Sequence, residues 1–324
     1  MLSMKDNFLT AIKGNVPDFV PRYSIFWGMR PSIVSEKRNP DGTGFDMFGV
    51  EWVVEGSAVQ AAIPKPGDFM LKDIRNWRDV VKFPDYSEVD WELMAQRDLA
   101  DRDPELPRGG GTAGIGFFQA LMAFMGFNEG LIACFEEPDE VKALNEYLLD
   151  GWSAMGKNFI QYYKPEYGTL ADDIAHETNP FISLPMFQDL FSPYWRRYIK
   201  IFKDVDLPAV HHNCGHFEEF LDDVVDMGFN AWDPAQVSND LVGIKAKFGN
   251  RLMICGGLDT RPFLNFRDAT EEQIRGAVKK LLDELAPGGG YAFLGGAMGT
   301  DPVAAQRSEW ILDEYEKLKA TYYN

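Results

Sequence analysis

Residues 207–215 read LPAVHHNCG. Leu207–His211 is a short, mostly apolar run, as expected of a strand covered on both faces. It leads directly into His212, Asn213 and Cys214, with Gly215 behind them. A helix is expected next, because Phe217, Phe220, Leu221, Val224 and Val225 recur at the spacing of one helical face. Gly228 ends that helix. The same rhythm continues in both directions. Upstream, residues 168–171 (GTLA) lead into Asp172-Asp173. Downstream, Asn230–Asp233 ends at Pro234-Ala235-Gln236, and Arg251–Cys255 ends at Gly256-Gly257-Leu258-Asp259. Thr270 with Gln273 resembles a capping box. It opens a helix with Ile274, Ala277, Val278, Leu281, Leu282 and Leu285 on one face. Gly288–Gly290 closes it, and Tyr291–Leu294 is the last strand.

Short apolar strands that alternate with amphipathic helices build a parallel sheet. Polar residues follow several successive strands rather than one switch point, which favours a barrel over an open sheet. The length of 324 residues also suits a barrel. The expected fold is therefore α/β, a (β/α)8 TIM barrel. No Ser-, Gly- or Pro-rich linker interrupts the chain, so one domain over residues 1–324 is expected. Arg22–Trp27 reads as the first strand. The 40–80 region, rich in Gly, Pro and aromatic residues, reads as a long excursion over the barrel mouth. Gly109–Gly116 (GGGTAGIG) is a glycine-rich loop, with no following Gly-Lys-Ser/Thr to make a Walker motif.

The formal net charge of −18 argues against nucleic acid, which demands clustered Lys and Arg. It argues equally against an anionic membrane surface. A small anionic substrate stays compatible, because a few local Arg residues override the global field. The N-terminus carries no signal-peptide pattern, and no window holds the ~18 apolar residues of a membrane span. The three cysteines, Cys134, Cys214 and Cys255, cannot all pair within the chain. Reduced thiols in the cytoplasm are the expectation.

All four histidines fall between residues 176 and 216. His212 and Cys214 are spaced H-x-C, and residues two apart in an extended segment point to the same side. Imidazole nitrogen and thiolate sulfur there suit a tetrahedral metal such as zinc. Packing at a strand end is the competing reading, and a third ligand decides between them. Cys255 is the first candidate, because it also ends an expected strand. Cys134, in an apolar helical stretch, reads as core. Asp172 and Asp173 follow another strand and are candidate catalytic carboxylates. One of them capping a helix is the alternative. Asp233 and Gln236 sit at the same level, where Gln236 can donate to a carbonyl or ether oxygen. Trp232 and Asp233 are the candidate cofactor-binding pair. Arg30, just after the first strand, can clamp a carboxylate bidentately. Tyr23, Phe26, Trp27 and Trp232 are candidates for an apolar pocket.

On these residues the chain resembles the uroporphyrinogen decarboxylase superfamily, over nearly its full length. The resemblance rests on LADDIAHETNPFISLPMF, on AVHHNCGHFEEFLDDVVDMGFNAWDPAQ, on the GGLDT after Cys255 and on GYAFLGGAMG. FDMFGVEW near residue 46 and the stretch Pro138–Leu149 add to it. The resemblance implies a (β/α)8 barrel and one of two activities. Decarboxylases hold a tetrapyrrole's acids through an N-terminal arginine motif and employ a late histidine. Here Met29-Arg30 is followed by Pro31-Ser32, and Gly296-Ala297-Met298-Gly299 stands where the late Gly-His-Gly would fall. Methyltransferases of the superfamily move a methyl group between a methylated substrate, or a thiol, and a corrinoid protein. Their thiol-using members bind zinc through H-x-C and a distant cysteine. His212 and Cys214 match the first two ligands, while Gly295-Gly296 stands near the place of the third. The third ligand is left to Cys255, to a carboxylate such as Glu177 or Asp173, or to no zinc at all. The resemblance thus favours a corrinoid-dependent methyltransferase component, acting on a small molecule such as a methoxylated aromatic. It implies zinc, a corrinoid carried by a partner protein, and pairing of two copies into a homodimer. A uroporphyrinogen decarboxylase is the alternative.

Overall fold

The computed structural model describes residues 1–24, 28–54, 62–113, 115–259, 268–296 and 301–323. Helix α1 (Met4–Ile12) opens the chain, with the Ser3 hydroxyl accepting the Asp6 amide as its cap. Strand β1 (Gly28–Met29) follows. Next come β2 (Gly44–Phe45), β3 (Glu51–Val53) and β4 (Ile63–Pro64), then α2 (Trp77–Val80) and α3 (Trp91–Leu99). Strand β5 (Gly109–Gly110) leads into α4 (Phe117–Met125), α5 (Phe127–Glu136) and α6 (Pro138–Tyr163). Strand and helix then alternate: β6 (Tyr167–Ala171), α7 (Leu184–Leu190), α8 (Ser192–Lys203), β7 (Ala209–His212), α9 (Leu221–Met227) and β8 (Ala231–Ala235). The series ends with α10 (Leu241–Phe248), β9 (Met253–Gly256), α11 (Glu271–Leu285), β10 (Tyr291–Ala292) and α12 (Pro302–Leu318).

Seven strands form one parallel sheet in the order β1-β5-β6-β7-β8-β9-β10. The sheet curls. A parallel bridge between Arg22 and Phe293 ties the segment before β1 to the end of β10. There the Tyr23 amide donates to the Phe293 carbonyl at 2.9 Å. Eight strands were expected, and the described residues hold seven in this sheet. The first expected strand, Arg22–Trp27, lies partly outside the described residues. The 40–80 excursion builds its own antiparallel sheet, β2-β3-β4. The glycine-rich stretch is not all loop: its first two residues are β5, paired with β1 and β6.

Alternation along the strands sorts the core into two parts. Val210, Ala231, Met253, Cys255 and Ala292 point to the concave side, where they meet Tyr23 and Tyr167. Phe8, Ala11 and Ile12 of α1 belong to the same cluster and seal it from below. Outward-facing Trp232 and Ile254 join the larger cluster under the helices. The capping box of α11 is formed, with Thr270 and Gln273 exchanging bonds, and Ile274, Val278, Leu281, Leu282 and Leu285 are buried. The helix expected after Phe217 starts as a 3-10 turn at Glu218–Phe220 before becoming α9. Asn239 supplies the reason: its Oδ1 accepts the Phe217 and Glu218 amides at 2.7 and 3.0 Å. Among the described residues no single helix is long and apolar enough to cross a membrane.

Candidate metal centre

The parallel register sets His212 directly beside Asp233 on the next strand. Both face the concave side, so their side chains meet. His212 Nδ1 lies 3.0 Å from Asp233 Oδ2. This contact turns Nε2 toward Cys214 and Asp173, the arrangement in which a carboxylate orients a metal-binding imidazole. Cys214 lies two residues past the end of β7, and its sulfur is 3.9 Å from His212 Nε2. Asp173, two residues past β6, places Oδ1 3.9 Å from the same nitrogen. The ligand atoms of Asp173, His212 and Cys214 all lie within 4.8 Å of one another. Tetrahedral zinc, with bonds of about 2.0–2.3 Å, holds its donors about 3.5 Å apart, so small rotations would close this triangle on an ion. One nitrogen, one sulfur and one carboxylate oxygen suit zinc, and three protein ligands leave a fourth position open.

The surrounding chain fixes these donors. Asp173 Oδ1 accepts the Cys214 amide at 2.7 Å, and Oδ2 accepts the Gln119 side-chain amide at 3.0 Å. Gly215 turns with φ +87, and a Cβ there would come within 2.5 Å of the His176 carbonyl oxygen. Only glycine fits that crossing. Gln236 Oε1 accepts the Gly215 amide at 2.6 Å and so holds the same turn. Buried Asn213 donates from Nδ2 to the Asp172 carbonyl and stitches the ends of β6 and β7 together.

Burial opposes a charged His212. Its bonds to Asp233 and Cys214, with the charges of Asp233 and Asp173, outweigh that and hold its pKa well above the ordinary value. Burial raises the Cys214 thiol, while the neighbouring His212 pulls it down. His211 points the other way, fully buried between Trp195, Phe217 and Phe229. Burial lowers its pKa to about 3, so it is a neutral ring.

The other sequence candidates are distributed unevenly. Asp172 is 0% exposed. Its carboxylate accepts the Phe118 and Gln119 amides and the Trp195 indole N–H at 2.8–3.0 Å. It therefore caps α4 from a neighbouring strand, and burial raises its pKa to about 7. The glycine-rich loop makes this possible: a Cβ on Gly116 would lie 2.1 Å from the Asp172 carboxyl carbon. Cys255 is not part of the donor group. It sits inside β9, fully buried, where burial and the charge of Asp233 both oppose a thiolate. Trp232 is turned to the outer face, and its indole N–H donates to the Asn213 carbonyl at 3.0 Å. It packs under the helices and not at the mouth. Glu177 is exposed and outside the donor group. Arg30 is exposed and lines a cleft beside the end of β1, away from the donor group. Phe26 and Trp27 lie outside the described residues. Gln119 was missed in sequence, because nothing local links it to Asp173, 54 positions away. A larger cleft of about 750 Å³, lined by Lys13, Lys203 and Arg251 among others, lies at the opposite end, ahead of β8 and β9.

Comparison with known proteins bears on this arrangement. No curated protein matches the chain. Among solved structures, a methyltransferase from Methanosarcina mazei superposes with a TM-score of 0.66 at 14% identity, covering 98% of this chain and 99% of that one. At that identity the likeness is one of fold. The model of the family described as uroporphyrinogen decarboxylase (URO-D) matches residues 43–299. That span takes in Asp173, His212 and Cys214 with the four strands β6 to β9, and the chain belongs to the uroporphyrinogen decarboxylase family.

Proposed function

We propose that the chain is a corrinoid-dependent methyltransferase component, a single-domain (β/α)8 barrel. It transfers a methyl group between a corrinoid protein and a small molecule, either a methylated substrate such as a methoxylated aromatic or a thiol. The observation that carries this reading is the convergence of Asp173, His212 and Cys214, with Asp233 behind His212. Zinc bound there would act as a Lewis acid on an ether oxygen or lower the pKa of a bound thiol. Asp233 orients His212, and Gln119 with the Cys214 amide orients Asp173. Gln236 and Asn213 keep the Cys214 turn in place. The proposal includes a reducing cytoplasmic setting and a pair of copies.

Metal analysis of the purified chain tests the first half. Near-stoichiometric zinc is expected, and less than about 0.2 equivalents, unchanged by Cys214→Ala, overturns it. Spectroscopic assay of methyl transfer to free reduced cobalamin from methoxylated aromatics tests the second. The family model favours one other reading, decarboxylation of a tetrapyrrole acid. Uroporphyrinogen turnover without metal or corrinoid would establish that reading and exclude ours.

A further inference from the structure

Four helices end around the cleft of about 750 Å³ that lies ahead of β8 and β9, at the other end of the sheet from the metal centre. Lys13 follows α1, Lys203 is the last residue of α8, and α9 stops at Gly228. Arg251 closes the 3-10 turn at Gly249–Arg251, behind α10. All four residues line the cleft. Local geometry helps to gather the three cations. Gly14 turns with φ +82, and a Cβ there would come within 3.0 Å of the Asn250 carbonyl oxygen. That close approach brings Lys13 and Arg251, each one residue from it, into one cleft.

Two carboxylates also reach the cleft, and each is already paired with a cation that does not line it. Asp222 meets Lys247 at 2.6 Å, and Asp226 meets Arg196 at 2.7 Å. Lys13, Lys203 and Arg251 have no ion pair among the described residues. Helix C-termini attract cations, which accounts for a Lys or Arg at each end. It does not account for Lys203, whose ammonium leaves its own helix end. Its Nζ reaches Asn230 Oδ1 at 3.1 Å, an oxygen that also accepts the Ala209 amide at 3.0 Å. Lys203 is half-buried, and burial lowers its pKa by more than the charge of Asp206 restores. A half-buried cation with one shared, neutral acceptor is incompletely paired. The chain holds 50 Asp and Glu, yet this cleft collects three cations with no acid of their own.

We propose that this cleft binds a diphosphate group, free or carried by a nucleotide, through Lys203, Lys13 and Arg251. Lysine meets phosphoryl oxygens as a point charge, and arginine adds a planar fork. The volume lies in the range of small-molecule sites and exceeds what a single phosphate or carboxylate fills. No aromatic platform is open for a base: Phe229 and Phe248 are buried, and the Phe248 ring already carries Lys247 and Arg251 at 5.0 and 5.6 Å. Recognition therefore rests on charge. The site stands at the opposite end of the strands from Asp173, His212 and Cys214, so it is independent of the methyltransferase reading.

Calorimetric titration of the full-length protein at low ionic strength tests this, with inorganic pyrophosphate, ADP and sulfate as probes. Pyrophosphate should bind one to one, at least about tenfold more tightly than sulfate. ADP of equal affinity would show that the diphosphate alone is recognised; tighter ADP would assign the site to a nucleotide. Lys203→Met should weaken pyrophosphate at least about tenfold, and Lys13→Met and Arg251→Met about threefold each. Arg196→Gln does not alter the lining but frees Asp226, and should weaken binding as well. Cys214→Ala should bind as the parent does, so the anion is not being read at the metal. If Lys203→Met does not fold, Lys13→Met and Arg251→Met decide, because both side chains are exposed. Absence of pyrophosphate binding, equal affinity for sulfate, undiminished binding by the lysine and arginine variants, or loss of binding in Cys214→Ala would each overturn the assignment.

Discussion

The ends of β7 and β9 carry a cysteine each, and their fates differ. Cys214 stands two residues beyond its strand, partly exposed, within 3.9 Å of His212 Nε2. Cys255 stands inside its strand, fully buried beside Met253, with no exposed surface. Within a parallel ladder an inward side chain is covered by its neighbours and by α1 below. Past the last ladder bond the chain turns and brings donors over the mouth. Residue type is the same in both regions; for these two cysteines the position relative to the strand end separates the donor group from the core. The carboxylates after β6 both lie past the strand, and there the alternation of side chains divides them. Asp172 turns into the wall to cap α4, and Asp173 turns over the mouth.

The largest expected effect is a test of this contrast. Cys214→Ala should strip the zinc to below about 0.2 equivalents, whereas Cys255→Ala should retain it and cost only about 1 kcal/mol of stability. Metal analysis beside denaturant unfolding reads both. Zinc loss from Cys255→Ala would return that residue to the ligand set. Asp172→Asn comes next. Three donors converge on a fully buried carboxylate, and an amide turns one N–H against them. A loss of about 2–4 kcal/mol in unfolding free energy is expected, with zinc stoichiometry preserved. An Asp172→Asn protein as stable as the parent would remove the capping role and reopen a catalytic one. Asp233→Asn is smaller: the imidazole keeps a hydrogen-bonding neighbour without its charge. Zinc affinity should fall about 10–100-fold, measured by competition with a chelator. An unchanged affinity would show that His212 is not oriented through Asp233.

Much of the fold was legible because periodicity reports burial directly. The apolar runs ahead of Asp172, His212, Asp233 and Gly256 correspond to β6, β7, β8 and β9. Two glycines carry no such signal, and β5 was read as loop for that reason. The antiparallel sheet β2-β3-β4 was hidden by strands of two or three residues. At the site, H-x-C was readable because period two is a local property. The choice of Asp173 over Cys255 was not, since it depends on how far each strand runs before its ladder ends.

His211 and His212 reduce the comparison to adjacent residues. Both end β7, one on each face. His212 meets a carboxylate and a thiol. His211 meets three aromatic rings, and its nitrogens have no well-aligned hydrogen-bond partner among the described residues, with only the Leu170 backbone beside them. A buried polar atom left unpaired costs about 1–3 kcal/mol, and removing it recovers part of that cost. The gain is offset by the poorer fit of a branched side chain among flat rings. His211→Leu is therefore expected to fall within about 1 kcal/mol of the parent in unfolding free energy, with zinc content unchanged. Loss of zinc, or a destabilisation of several kcal/mol, would mean that the outer face of β7 takes part in the chemistry and that strand alternation alone does not divide the two histidines.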